Sequence, residues 1–136
     1  PDAVARVLEI ANKLTKGKVI AVLGCGGDRD ISKRPLMGQA LFVGSDKAIF
    51  TSDNPRSESA NEILKAMVAG IDLAEKGCVI KDRRAAIDFA VEQASVGDFV
   101  LVLGKGHESG QEVNGITTPF DDRIELADSI KRVLKK

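Results

Sequence analysis

Apolar positions along this chain follow two rhythms. Val4, Val7, Leu8, Ala11 and Leu14 recur at helical spacing between Asp2 and Leu14, so a first helix with one apolar face is predicted. Gly17 interrupts that rhythm, and Val19-Ile20-Ala21-Val22-Leu23 follows as an unbroken apolar run. Such a run suits a strand covered on both faces, as in a parallel sheet with helices above and below. Ala48-Ile49-Phe50, Cys78-Val79-Ile80 and Phe99-Val100-Leu101-Val102-Leu103 repeat it. Helical patterns lie between these runs, marked by Leu36, Met37, Ala40 and Leu41, by Ile63, Leu64, Met67, Val68 and Ile71, and by Ile87, Ala90, Val91 and Ala94.

Ser59 and Glu62 have the spacing of a capping box ahead of the second of these helices. Val113-Asn114-Gly115-Ile116 reads as a tight hairpin, because Asn-Gly accepts the positive φ angles of a type I′ turn. A last helix is expected from near Asp122, with Leu126, Ala127, Ile130, Val133 and Leu134 turned inward. Strand-helix alternation of this kind builds βαβ units. The fold class is therefore α/β: a Rossmann-like three-layer domain with a mostly parallel sheet, an antiparallel edge hairpin and helices on both faces. Residues 1–136 are read as one domain, with no linker, repeat or low-complexity stretch.

Composition narrows the range of partners. Lys+Arg and Asp+Glu each number 20, for a formal net charge of zero, so no overall field draws the chain to nucleic acid or an anionic membrane. Five Phe with no Trp or Tyr argue further against base-stacking platforms. No apolar run approaches a bilayer span, and no membrane insertion is expected. Cys25 and Cys78 form no CxxC pair, so a disulfide framework or zinc site is not expected and a reducing cytoplasm is the default. Cys78 reads as a small residue at a strand start; Cys25, in the first loop, stands nearer to a ligand. The chain opens on Pro1, as a processed protein or a piece of a longer one does.

Chemistry gathers just after the strands. In an open parallel sheet the loops leaving the carboxyl ends share one rim, where ligands bind. The first loop, Gly24-Cys25-Gly26-Gly27-Asp28-Arg29-Asp30, is only loosely a dinucleotide fingerprint, because the third glycine is out of register. Its glycines let backbone amides approach a ligand, and Asp28 has the chemistry to accept from ribose hydroxyls; a sharp turn with solvated charges explains the same residues. No GxxxxGK[ST] occurs, so the chain has no P-loop.

In the second loop, Thr51-Ser52-Asp53-Asn54-Pro55-Arg56, Pro55 fixes its own φ and extends Asn54. The stiff turn is expected to aim Asn54 and Arg56 outward, and a guanidinium so held suits bidentate capture of a carboxylate. A helix-start turn capped by Asp53 or Ser57 accounts for everything there except Arg56. The fourth loop, Gly104-Lys105-Gly106-His107-Glu108, adds a carboxylate. Two arginines and one carboxylate suit a zwitterion: Arg29 and Arg56 for its carboxylate, Glu108 for its ammonium. His107, the single histidine, has no evident Ser or Cys partner for nucleophilic chemistry. Lys81-Asp82-Arg83-Arg84 reads as a helix start with Asp82 as N-cap and a solvated basic face.

Taken together, these stretches resemble the C-terminal domain of the Mur ligases. The stretches Lys33-Arg34-Pro35-Leu36-Met37-Gly38 and Pro119-Phe120-Asp121-Asp122-Arg123 fit as well, so the resemblance covers essentially the whole chain. Within the family, Asp53-Asn54-Pro55-Arg56 is similar to the enzymes that add meso-diaminopimelate. The resemblance implies an ATP-dependent amide-bond ligase of peptidoglycan synthesis in the bacterial cytoplasm, extending UDP-N-acetylmuramoyl-L-alanyl-D-glutamate. It also implies two further domains, one for the UDP-sugar peptide and a central P-loop ATPase that holds most of the ATP and Mg2+. Here it would set Arg29, Asp53, Asn54, Pro55, Arg56, Gly104 and Glu108 around meso-diaminopimelate, and Asp28 against the ATP ribose. It implies no catalytic residue and no metal ligand in this domain alone, which is expected to be inactive by itself. The stretch 40–45 and Ala60 depart from the family's usual pattern, away from the ligand-matching residues. A lysine-adding Mur ligase domain and a non-catalytic Rossmann-like binding module are the competing readings.

Overall fold

The computed structural model describes residues 2–27, 31–104, 110–113 and 116–134. Four strands, β1 (Val19–Cys25), β2 (Lys47–Ser52), β3 (Gly77–Val79) and β4 (Phe99–Leu103), pair in the order β3-β2-β1-β4, every pair parallel. Helices α1 (Asp2–Leu14), α2 (Arg34–Gly44), α3 (Ala60–Met67), α4 (Arg83–Gln93) and α5 (Asp122–Leu134) cover the sheet. A short 3-10 turn, Ile31–Lys33, leads into α2.

The unbroken apolar run of β1 has a direct cause in this arrangement. Val19, Ala21, Leu23 and Cys25 face the core formed with α1, α2 and α3, whereas Ile20 and Val22 face α4. Every residue of β1 is buried, as a central strand sandwiched by helices requires. The strands β5 (Gly110–Val113) and β6 (Ile116–Pro119) pair antiparallel as expected, with Val113 opposite Ile116. Among the described residues they form a two-stranded sheet of their own. The turn residues Asn114 and Gly115 lie outside the described residues.

Two details differ from the sequence expectation. Ser59 occupies the N-cap position of α3 in an extended conformation, but its side chain makes no capping bond. Ser59 and Glu62 are both exposed, so water can serve the free amides there. In α5 the inward stripe is Asp122, Leu126, Ser129 and Val133, while Ala127, Ile130 and Leu134 are exposed. Ion pairs with α4 set that rotation: Arg83 to Asp122, Arg84 to Glu125 and Arg132 to Asp88. Polar contacts that sequence periodicity weighs as solvent-facing therefore decide which side of α5 is buried.

Candidate functional site

Loops from the carboxyl ends of β1 and β2 are clasped together. The Gly27 amide donates to the Asn54 carbonyl at 2.6 Å. Arg56 Nη1 returns the contact by donating to the Gly27 carbonyl at 3.0 Å and, more weakly, to the Asn54 carbonyl at 3.4 Å. A Cβ on Gly27 would overlap the Pro55 carbonyl, so only glycine permits this approach. Arg34, buried at the start of α2, closes the clasp from below. Its fork holds both oxygens of Glu58, at 3.0 and 2.7 Å, and its Nη2 reaches the Gly26 carbonyl at 3.3 Å.

Arg56 carries a left-handed backbone, φ 54°. That region is disfavoured for a side chain of this size, costs on the order of 1–3 kcal/mol, and persists only where neighbours impose it. The Glu58 amide closes the turn onto the Pro55 carbonyl at 3.0 Å, which fixes Arg56 inside it. Asp53, Asn54 and Pro55 are buried. The expectation that Asn54 and Arg56 both point outward is thus corrected: Asn54 is covered, and Arg56 lies back across the first loop. One edge of its guanidinium is engaged by carbonyls; Nε and Nη2 make no hydrogen bond among the described residues.

Gly104, at the end of β4, has φ +104° and sits directly on the Gly24 carbonyl, where a Cβ would collide. Three loop origins thus meet at one rim: Gly24–Gly27, Asp53–Arg56 and Gly104. Asp28, Arg29 and Glu108, together with Lys105 and His107, lie outside the described residues.

Two functional supports were missed from sequence. Gln111 on β5 donates to the Asp53 carbonyl at 2.8 Å and to Ser52 Oγ at 3.2 Å, tying the hairpin to the second loop. Arg83, expected on a solvated face, is completely buried. Its Nε and Nη2 hold Asp122 at 2.8 and 2.6 Å, Nη1 donates to the Ser52 carbonyl at 2.9 Å, and Nη2 also reaches the Leu103 carbonyl at 3.1 Å. One guanidinium therefore joins the ends of β2 and β4 to the start of α5. The signal was present: Arg83 stands four residues before Ile87 and seven before Ala90, on the buried stripe of α4. Asp82 does cap α4, accepting from the Ala85 amide at 3.3 Å.

Cys25, at the end of β1, points into the core. It is buried against Met37, with the sulfurs 3.8 Å apart, and burial pushes its thiol up to about 11. A cleft of about 570 Å³ opens beside the second loop, between Ser52, Pro55, Glu58, Lys81, Asp82 and Gln111. Among the described residues no helix is long and apolar enough to cross a membrane, and no group of three His, Cys, Asp or Glu side chains has metal-ligand geometry.

A parallel sheet flanked by helices, with clasped polar loops at the carboxyl ends of its strands, defines a Rossmann-like α/β domain. The chain belongs to the Mur ligase family: residues 1–106 match the Mur ligase glutamate ligase domain. It is 52% identical over 136 residues to the UDP-N-acetylmuramoyl-L-alanyl-D-glutamate–2,6-diaminopimelate ligase of Streptomyces coelicolor, covering 96% of this chain and 27% of that protein. The ligase of the same name from Aquifex aeolicus is 48% identical, over 98% of this chain and 27% of its own length. A solved structure of a UDP-N-acetylmuramoyl-L-alanyl-D-glutamate–2,6-diaminopimelate ligase superposes with TM-score 0.92 at 47% identity, across 97% of this chain and 27% of that one. The chain thus spans about a quarter of the length of the relatives it matches.

Proposed function

We propose that this chain is the amino-acid-carrying C-terminal domain of an ATP-dependent ligase that adds meso-diaminopimelate to UDP-N-acetylmuramoyl-L-alanyl-D-glutamate in the cytoplasm. The observation that carries the reading is the second loop. Its Arg56 is locked in a left-handed turn with one guanidinium edge clear of protein hydrogen bonds among the described residues. Such an edge matches a carboxylate with two parallel N–H bonds. The names of relatives near 50% identity support 2,6-diaminopimelate as the zwitterion concerned.

In this reading Arg56 and Arg29 hold the distal carboxylate, Glu108 the ammonium beside it, and Asp53, Asn54, Pro55 and Gly104 shape the site. The domain's task is orientation, since holding the reacting amine in place converts an encounter into a unimolecular step. The bond-forming event is attack of that amine on an acyl phosphate of the D-glutamyl side chain, with phosphate leaving. ATP supplies the phosphoryl group. In this reading ATP and Mg2+ are held mainly by the other domains of the longer enzyme, in keeping with the lack of a GxxxxGK[ST] motif in this sequence. Asp28 is left with the ribose.

The test uses the full-length ligase carrying this domain, supplied with ATP, the UDP-linked dipeptide and either meso-diaminopimelate or L-lysine. Amide product from diaminopimelate well above that from lysine is expected. Product from lysine alone would give the lysine-adding reading, and no product from either would leave a binding module. In the same enzyme, Asp28→Ala should raise the apparent KM for ATP about tenfold to a hundredfold, the worth of one hydrogen bond to a charged group. Unaltered ATP kinetics would make Asp28 a residue of the turn alone.

A further inference from the structure

The pair Arg34–Glu58 lies below the rim, and neither residue is among those assigned to a ligand. Arg34 is the first residue of α2, with its side chain 6% exposed, and that helix packs on α1, α3 and the sheet. Its guanidinium therefore projects from a rigid part of the molecule. Through both oxygens of Glu58 it fixes the turn that contains Arg56; through the Gly26 carbonyl it fixes the first loop. Glu58 is held at its other end too, since its amide bonds the Pro55 carbonyl. The anchored stretch ends at Gly27, which immediately precedes Asp28 in the sequence.

We propose that Arg34, acting through Glu58 and Gly26, is a positioning residue that holds the two loops in register, so that nucleotide and amino-acid affinity depend on one another. The inference rests on the functional reading above, which gives Asp28 to the nucleotide and Arg56 to the amino acid. A bidentate fork has one favoured geometry, which an ammonium cannot reproduce. With the fork gone, the loops lose this tie to α2 and keep the links between Gly27, Asn54 and Arg56, which join them to each other. Both ligand groups would then shift together, whereas a substrate held by other domains would be unaffected.

The experiment is substrate kinetics of the full-length ligase with Arg34→Lys, Glu58→Gln, and the paired apolar change Arg34→Met with Glu58→Met. Arg34 is buried and Glu58 half-buried, and replacing both members of such a pair by apolar residues of similar volume avoids leaving one charge unpaired while removing the fork. The single variants should raise KM for ATP and for diaminopimelate by about tenfold each, with kcat within about threefold and KM for the UDP-linked dipeptide unchanged. The paired variant should regain the wild-type thermal midpoint to within a few degrees yet keep both raised KM values. Wild-type KM values in the stable paired variant would overturn the proposal, leaving the pair a matter of stability. A loss of kcat with all KM values unchanged, or equal rises for all three substrates, would overturn it as well. A wild-type enzyme that forms no amide would overturn the functional reading and this inference with it; the other outcomes overturn this inference alone.

Discussion

Arg83→Met is expected to destabilise this domain by about 3–5 kcal/mol, the cost of stripping one partner from a buried ion pair. The substitution leaves the Asp122 carboxylate buried without its partner, and takes a donor from the carbonyls of Ser52 and Leu103. Each such orphaned group carries a desolvation penalty of roughly 1–3 kcal/mol if no water reaches it. A surface arginine changed in the same way typically moves stability by less than about 0.5 kcal/mol. Urea unfolding of the wild type, Arg83→Met and Arg84→Met measures the difference directly. Arg84 pairs with Glu125 from a largely exposed side chain, and its loss should be close to neutral. Equal, small losses for both variants would show that Arg83 is not the tie between β2, β4 and α5.

That contrast also marks what the sequence could and could not reveal. β1 was legible because a doubly covered strand has no polar side, and five consecutive apolar residues leave few other readings. Asp82 as the cap of α4 followed from its position before the helical stripe. Arg83 and Arg84, adjacent and identical in type, read together as a solvated face, yet one is entirely buried and the other mostly exposed. Nothing in the side chain distinguishes them; the partner does. Arg83 shares the stripe of Ile87 and Ala90, which marks it for burial, but its partner Asp122 lies 39 residues away and has no local period to betray it. The rotation of α5 was misjudged for the same reason, since its three carboxylate and arginine contacts with α4 outweigh the apolar stripe through Ile130 and Leu134.

At the rim, residue types were more informative than geometry. Asp53, Asn54, Pro55, Arg56 and Gly104 do stand at the carboxyl ends of their strands, as strand-helix alternation requires. The clasp between the first two loops was not legible, because it depends on carbonyls. Gly27 and Asn54 meet through their main chains, and Arg56 donates to main-chain oxygens. Backbone groups are present at every residue and carry no sequence signature. Only Gly27 hints at the approach, by lacking the Cβ that Pro55 would exclude.

The preference for diaminopimelate over lysine should shrink by at least about a hundredfold in Arg56→Ala, if one bidentate charged pair carries it. The two amino acids differ by a single carboxylate on the distal carbon. On the proposed reading lysine would leave the arginine without an anion and Glu108 with an incomplete partner set, and sites built around a polar group reject analogues that lack it. In the full-length ligase, kcat/KM for diaminopimelate should therefore collapse, while the use of lysine, expected to be poor from the start, should change little. The backbone complicates a single substitution, because φ 54° is strained for alanine as it is for arginine, and the Gly27 carbonyl loses its donor in either case. Arg56→Gly removes the same side chain while relaxing that strain. If the guanidinium sets specificity, both variants lose the diaminopimelate preference to the same degree. If Arg56→Gly kept the preference and only Arg56→Ala lost it, the turn's conformation rather than the charge would be responsible. Equal proportional losses for the two amino acids would assign Arg56 to holding the loops together, and carboxylate recognition would have to come from Arg29 alone.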